Sequence, residues 1–363
     1  MERILVILSS MNAGGAETFL MKLYRAFDKT KYQLDFCINV KEKCFYEDEI
    51  NALGGRVYRI PSKSENLKEF RKQLYSIIKD EKYERVLRIT SNAMGFMEMK
   101  IAKKAGAKIR AIRSSNSSDG GSIKTKVFHI LGKLLYGRYV NVKIAPSDLA
   151  AQYTFGKKAY KNGEVSILHN AIDLDVYKYS EESRNAIINE FGLENKTVIG
   201  HIGRFNTQKN HAFLLKIFAE IVKRDSNSIL MLVGKGDLES AIREQAKELG
   251  VLEKIIFTGV RSDVPALLSA MDVFVMPSFY EGMPNTVIEA QATGLPCVIA
   301  DTITKEANIT GLVDYMSLNE KPSNWAIKSI KKLSTYRMGV NDYFIANEYD
   351  IESVVNKFIH MLD

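Results

Sequence analysis

The chain has 363 residues, is 46% apolar and 26% charged, and carries a formal net charge of +8. That length suits two domains with separate cores, and that composition excludes extended disorder. Three cysteines, Cys37, Cys44 and Cys297, form no CxxC pair and stand by no histidine cluster, which argues against disulfides and structural zinc and points to a reducing cytoplasm.

The segment Met1-Glu-Arg-Ile-Leu-Val-Ile-Leu8 has too short an apolar run for a signal peptide and reads as a first strand. No stretch approaches the roughly 18 apolar residues of a membrane span. The first strand runs into Ser9-Ser-Met-Asn-Ala-Gly14-Gly15, where adjacent glycines let backbone approach a ligand ahead of a helix from Glu17 to Phe27. A plain turn explains the pair equally well. A dinucleotide fingerprint would need GxGxxG, which this loop lacks.

Further strands are predicted near Leu34–Asn39, Val57–Ile60, Val86–Ile89, Ile109–Ile112, Lys143–Ala145 and Val165–Leu168, with helices between them such as Leu67–Lys79. The alternation predicts parallel sheets flanked by helices. Residues 1–180 hold 32 Lys and Arg against 19 Asp and Glu, while 181–363 hold 19 against 24. Between Lys100 and Lys161 there are 14 basic residues and only Asp119 and Asp148 as acids. This half suits an anionic phospholipid surface or nucleic acid, or is a solvated basic face. Within it, Val127, Ile130, Leu131, Leu134 and Leu135 share one helical face, which either packs on the core or lies on a membrane. No nucleic-acid-binding motif accompanies the charge, so nucleic acid is not expected as a partner.

Periodicity lapses into turn chemistry at Asn170-Ala-Ile-Asp173-Leu-Asp175, the expected boundary between a first domain of residues 1–172 and a second of 173–345. After a helix at Glu181–Phe191, strands are predicted at Val198–Ile202, Ile229–Val233, Ile255–Phe257, Val273–Met276 and Cys297–Ala300. Arg204 and Lys209 follow the first of these, and two fixed cations on one loop can hold a diphosphate. Val233-Gly-Lys-Gly236 ends the next strand, and Thr258-Gly-Val260-Arg261 the one after. Glu281 and Glu289 lie in Glu281-Gly-Met-Pro-Asn-Thr-Val-Ile-Glu289, which opens a helix beyond the fourth strand. A helix N-terminus there favours an anionic ligand. A last amphipathic helix over 346–363 carries Ile351, Val354, Val355, Phe358, Ile359 and Leu362 at helical spacing.

Gly203-Arg204 with Lys209, Val233-Gly-x-Gly236, Phe257-Thr-Gly259, and Glu281-Gly-Met-Pro-Asn-x-x-x-Glu289-Ala with Gly294-Leu-Pro296 resemble the retaining family 4 glycosyltransferases of the GT-B fold. The stretches Ala300–Glu306 and Tyr315–Leu318 are similar to the exopolysaccharide and capsular polysaccharide branch. The resemblance implies an α/β protein of two Rossmann-like domains, acceptor-binding then donor-binding, facing across a cleft, with the last helix crossing back to the first domain. It implies transfer from a UDP-sugar co-substrate to a saccharide acceptor, expected to be lipid-linked, without a metal or other cofactor. Arg204 and Lys209 would neutralise the diphosphate, Glu281 would bind sugar hydroxyls, and Glu289 the ribose. Gly282, Met283, Pro284, Asn285 and Thr286 would hold sugar and phosphate. Gly14, Gly15, Gly203, Gly234, Gly236 and Val260 would complete the donor site.

The family commonly places a histidine where this chain reads Arg113-Ser114-Ser115-Asn116, so either its contact to the transferred sugar is absent here or one of those four residues replaces it. His129, His169, His201, His211 and His360 read as helix, strand or loop residues rather than ligands. Two alternatives share these features: a non-hydrolysing UDP-sugar epimerase, and a nucleotide-sugar-binding subunit without catalysis. A cytoplasmic location, with a peripheral seat on the inner membrane face, completes the expectation.

Overall fold

In the computed structural model the described residues are 1–115, 123–281, 283–334, 337 and 339–363, with backbone alone for 123–125. The chain divides into two compact units: Met1–Ala171 with Glu348–Asp363, and Ile172–Asn347.

The first unit contains β1 (Glu2–Ile7), β2 (Tyr32–Ile38), β3 (Val57–Arg59), β4 (Arg85–Thr90), β5 (Ile109–Ser114), β6 (Val142–Ala145) and β7 (Ser166–Ile167). Its helices are α1 (Gly15–Ala26), α2 (Glu47–Ala52), α3 (Leu67–Asp80), α4 (Met97–Ala105), α5 (Ile123–Tyr136), α6 (Asp148–Phe155) and α7 (Lys157–Lys161). The strands form one sheet in the order β3-β2-β1-β4-β5-β6-β7, every pairing parallel. A parallel sheet is covered on both faces, which is why Ile4, Leu5, Val6 and Ile7 form an uninterrupted apolar run and are all buried.

The second unit starts with α8 (Glu181–Phe191) and continues through β8 (Thr197–Ile202), α9 (His211–Val222), β9 (Ser228–Val233), α10 (Glu239–Glu248), β10 (Ile255–Gly259) and α11 (Val264–Ala270). It ends with β11 (Val273–Met276), α12 (Asn285–Ala292), β12 (Cys297–Ala300), β13 (Val313–Met316), α13 (Pro322–Lys332) and α14 (Asn341–Ala346). Its sheet runs β10-β9-β8-β11-β12-β13, again all parallel. Strand order reverses between β1 and β4 in one unit and between β8 and β11 in the other. In doubly wound sheets ligands bind beyond the C-terminal strand ends at that reversal.

The last helix, α15 (Ile351–Leu362), belongs to the first unit. Asp350 caps it by accepting from the Ser353 amide at 2.9 Å. Val354, Phe358 and Leu362 then enter the core beside α1, with the Phe358 ring 5.8 Å from that of Phe27. The Arg85 guanidinium Nε donates to the Leu362 carbonyl at 2.7 Å and pins the end of the helix. The three cysteines are buried and free. No helix among the described residues is long and apolar enough to cross a membrane.

Candidate active site

The reversal in the second sheet is where the charged sequence motifs meet. β8 ends at Ile202, and its loop forms a short turn over Thr207–Lys209 capped by Asn206, whose Oδ1 accepts from the Lys209 amide at 3.2 Å. β11 ends at Met276, and its loop runs to Glu281 before α12. The two loops are cross-linked by backbone and side chain. Phe279 N–H donates to the Gln208 carbonyl at 2.9 Å, the Gln208 amide donates to the Tyr280 carbonyl at 2.9 Å, and Asn210 Nδ2 donates to the Pro277 carbonyl at 3.1 Å. Asn210 itself sits in the left-handed region, φ 54, a conformation Asn tolerates better than most residues.

Across this junction Lys209 Nζ lies 2.7 Å from Glu281 Oε1, and Gln208 Nε2 donates to Glu281 Oε2 at 3.3 Å. The side chains of the pair are only 15% and 9% exposed, so their attraction is screened far less than that of a surface pair. Arg204, by contrast, is exposed and its side chain makes no hydrogen bond or ion pair among the described residues. Arg204 is therefore a free cation beside a second, Lys209, that is already balanced by an acid.

Beneath Lys209 lies an apolar bed of imidazoles that sequence reasoning placed as ordinary strand and loop residues. His201, on β8, has Nδ1 2.8 Å from the Val275 carbonyl of β11, so that nitrogen carries the proton and Nε2 is left buried without a partner. His211, the first residue of α9, is 2% exposed and neither ring nitrogen has a partner. The two rings meet edge to face at 4.9 Å. Burial, then His211 and Lys209, pushes His201 well below the ordinary imidazole range. Burial and then Lys209 push His211 down to about 4. Both are neutral at physiological pH, so neither competes with Lys209 for Glu281. A polar residue inside an otherwise apolar strand, two before Gly203, is the signal that could have found His201.

Glycines set how close these loops come. A methyl added at Gly236 would lie 2.4 Å from the Phe205 carbonyl oxygen, and one at Gly234, whose φ is +138, would lie 2.2 Å from the Gly203 carbonyl oxygen. The close approach that Gly234 and Gly236 permit is thus to the β8 loop, not first of all to a ligand. At Gly203 an added methyl would be 3.0 Å from Lys209 Cε, so the lysine stem lies along its face. Val260 is 70% exposed beyond β10. Arg261 is held by Glu190 at 2.6 Å and Asp263 at 2.6 Å.

Pro284 occupies the cap position of α12 and supplies no side-chain acceptor to its first turn. Met283, Asn285 and Thr286 are partly exposed at this end, and Glu289 is partly exposed one turn further on. Gly282 lies outside the described residues.

In the first unit, Gly14 and Gly15 open α1 from extended backbone. Of the four residues at the histidine position, Arg113 and Ser114 are buried and Ser115 is exposed, while Asn116 lies outside the described residues. Arg113 stacks over Phe19 at 3.7 Å, and its Nη2 donates to Asn170 Oδ1 at 2.6 Å. Burial pushes its guanidinium down to about 9, still protonated at neutral pH. Ser114 Oγ is 2.6 Å from Thr154 Oγ1. Arg113 and Ser114 therefore brace the strand end from within, and Ser115 alone of the described three presents its side chain to solvent. No cluster of three metal-ligating side chains occurs among the described residues.

Residues 196–334 match the family described as Glycosyl transferases group 1. The chain is 36% identical over 331 residues to EpsF of Bacillus subtilis (strain 168), a glycosyltransferase by name, covering 90% of this chain and 86% of that one. This chain belongs to the group 1 glycosyltransferases. Over 142 residues it is 30% identical to an Escherichia coli UDP-Gal:alpha-D-GlcNAc-diphosphoundecaprenol alpha-1,3-galactosyltransferase, covering 38% of this chain and 37% of that one. Its fold matches that of Anabaena Alr3699/HepE, solved in complex with UDP and glucose, with a TM-score of 0.79 at 18% identity over 100% of this chain and 99% of the other. The two doubly wound units are those of a GT-B glycosyltransferase.

Proposed function

We propose that this glycosyltransferase takes a hexosyl or N-acetylhexosaminyl group from a UDP-sugar and transfers it, with retention at the anomeric carbon and without a metal, to a lipid-linked saccharide in cell-surface polysaccharide synthesis. The observation that carries this reading is the β8–β11 junction, where the free guanidinium of Arg204 and the Lys209–Glu281 pair stand together at a sheet's ligand-binding edge. Arg204 binds the donor's diphosphate, and the first turn of α12 adds its dipole. The diphosphate draws Lys209 from Glu281, and the released carboxylate accepts from sugar hydroxyls. Glu289 accepts from the ribose, since a carboxylate meets a vicinal diol with two acceptors.

As the bond between the anomeric carbon and the phosphate oxygen breaks, negative charge grows on UDP, and Lys209 and Arg204 stabilise it. The acceptor hydroxyl oxygen attacks on the face the diphosphate leaves, and its proton passes to a phosphate oxygen. Support for a UDP donor comes from the nucleotide in the HepE complex. Support for a diphosphate-linked lipid acceptor comes from the name of the Escherichia coli relative.

The test is product analysis with a panel of UDP-sugars and a membrane lipid extract. UDP release that requires acceptor, with the donor's anomeric configuration kept in the product by NMR, is the expected result. Turnover of a UDP-sugar without acceptor would replace the proposal with an epimerase, and UDP binding without turnover in any mixture would leave a binding subunit.

A further inference from the structure

The helix α5 is inside out. Its apolar residues point to solvent: Val127, Phe128, Ile130, Leu131, Leu134 and Leu135 are between 43% and 75% exposed. Three of its polar or small residues, His129, Gly132 and Lys133, point inward instead. His129 is buried, its Nδ1 accepting from the Ala93 amide at 3.1 Å and its Nε2 lying 3.0 Å from the Tyr153 carbonyl. Lys133 Nζ donates to the same Tyr153 carbonyl at 2.7 Å. Gly132 lets the helix lie so close that a methyl there would come within 2.4 Å of the Ala93 carbonyl oxygen. The polar face is thus fixed to the unit by specific bonds, and the apolar face cannot turn inward without breaking them. A contiguous apolar face of this kind marks an interaction site.

At the C-terminal end of the helix, Tyr136 forms part of the wall of a groove of about 460 Å³ between α3 and α4. Arg71, Lys72, Lys100 and Lys104 line it over an apolar floor of Met97 and Ile101, and no carboxylate does. Lys100 also lies 5.9 Å from the centre of the Tyr136 ring. Apolar side chains facing water beside a cluster of cations with aromatics at the junction match the two halves of a bilayer surface: acyl chains and anionic headgroups.

We infer that α5 and this groove form a docking surface for an anionic phospholipid leaflet. The apolar face of α5 enters the acyl boundary, and the α3–α4 groove takes a phosphodiester headgroup. The inference rests on the membrane-associated acceptor proposed above and names the surface that brings the chain to it.

The experiment is co-sedimentation with vesicles of phosphatidylcholine alone and of an equimolar mixture with phosphatidylglycerol, across a salt series, with UDP binding and oligomeric state measured on the same samples. The wild type is expected to bind the mixed vesicles as a monomer and to lose binding as salt rises. The variant Leu131→Glu/Leu134→Glu is expected to weaken binding at least about tenfold. Lys100→Gln/Lys104→Gln should weaken it about fivefold per charge, with thermal unfolding unchanged in both. Vesicle binding that is absent, equal on neutral vesicles, or undiminished in the leucine variant overturns the inference. A wild-type dimer that the leucine variant converts to monomer overturns it in favour of self-association. UDP binding separates the two readings. Bound UDP without vesicle binding removes the docking surface alone, and vesicle binding without UDP binding or turnover removes the UDP-sugar transfer alone.

Discussion

Lys209 and Glu281 neutralise each other 2.7 Å apart, and that pairing has a kinetic signature. Glu281→Ala is expected to lower turnover more than about a hundredfold, near 2.7 kcal/mol of transition-state stabilisation. Lys209→Ala should cost a similar factor. Because the donor parts the pair and gives each group a contact of its own, the losses should be close to additive in the double variant, and a double variant no slower than either single one in steady-state kinetics would show that the pair acts as a unit instead. The imidazole bed has a pH signature. His211 holds its proton less tightly in the fold, at about 4, than an unfolded imidazole does near 6.5. Between those values the unfolded chain binds the extra proton, so stability is full above about pH 6.5 and falls as the pH drops towards 4, by about 3 kcal/mol for this group. Urea unfolding measured from pH 7 to 4 should show that decline, and His211→Phe should make it shallower while the part due to His201 remains.

Among elements, the β8 and β9 loops depend on glycines that leave no room for a methyl. Gly236→Ala sets carbon 2.4 Å from a backbone oxygen and is expected to cost about 2 kcal/mol, lowering Tm by several degrees and weakening UDP binding. Gly137→Ala, whose added methyl would meet nothing within 4 Å, should leave Tm unchanged. The strands were legible in sequence because a parallel sheet buried on both faces demands short unbroken apolar runs, and the runs ending at Ile7, Val233 and Met276 are of that kind. β13 was not legible. It lies at the sheet edge and carries Asp314, whose carboxylate pairs with Lys328 and Lys332, so its apolar run is broken. The apolar stripe of α5 could be read from its period, but a period names a face without saying which way it turns. Its direction follows from His129, Lys133 and Gly132, whose partners are up to 39 residues away. The Lys209–Glu281 pair was hidden for the same reason: each residue was recognisable, and their 72-residue separation was not bridged by any local pattern.

At the scale of the whole molecule, the two sheets repeat one strand order, and the first unit is completed from the far end of the chain. Phe358→Ala should cost the first unit about 3–5 kcal/mol, since it empties a buried position against Phe27. A chain cut after Asn347 should keep the cooperative unfolding of the second unit and its UDP binding, while the first unit loses Val354, Phe358 and Leu362 from its core and unfolds at lower temperature. Calorimetry and UDP titration on the same truncated sample check both halves of that expectation. The same discontinuity orders events on the ribosome. Residues 1–171 emerge before the helix that completes their unit, whereas residues 172–347 form one continuous unit. The second unit can therefore complete its fold while the first is still waiting, which reverses the usual N-to-C sequence of domain folding. During that interval the groove beside α1 that Val354, Phe358 and Leu362 will fill is exposed apolar surface.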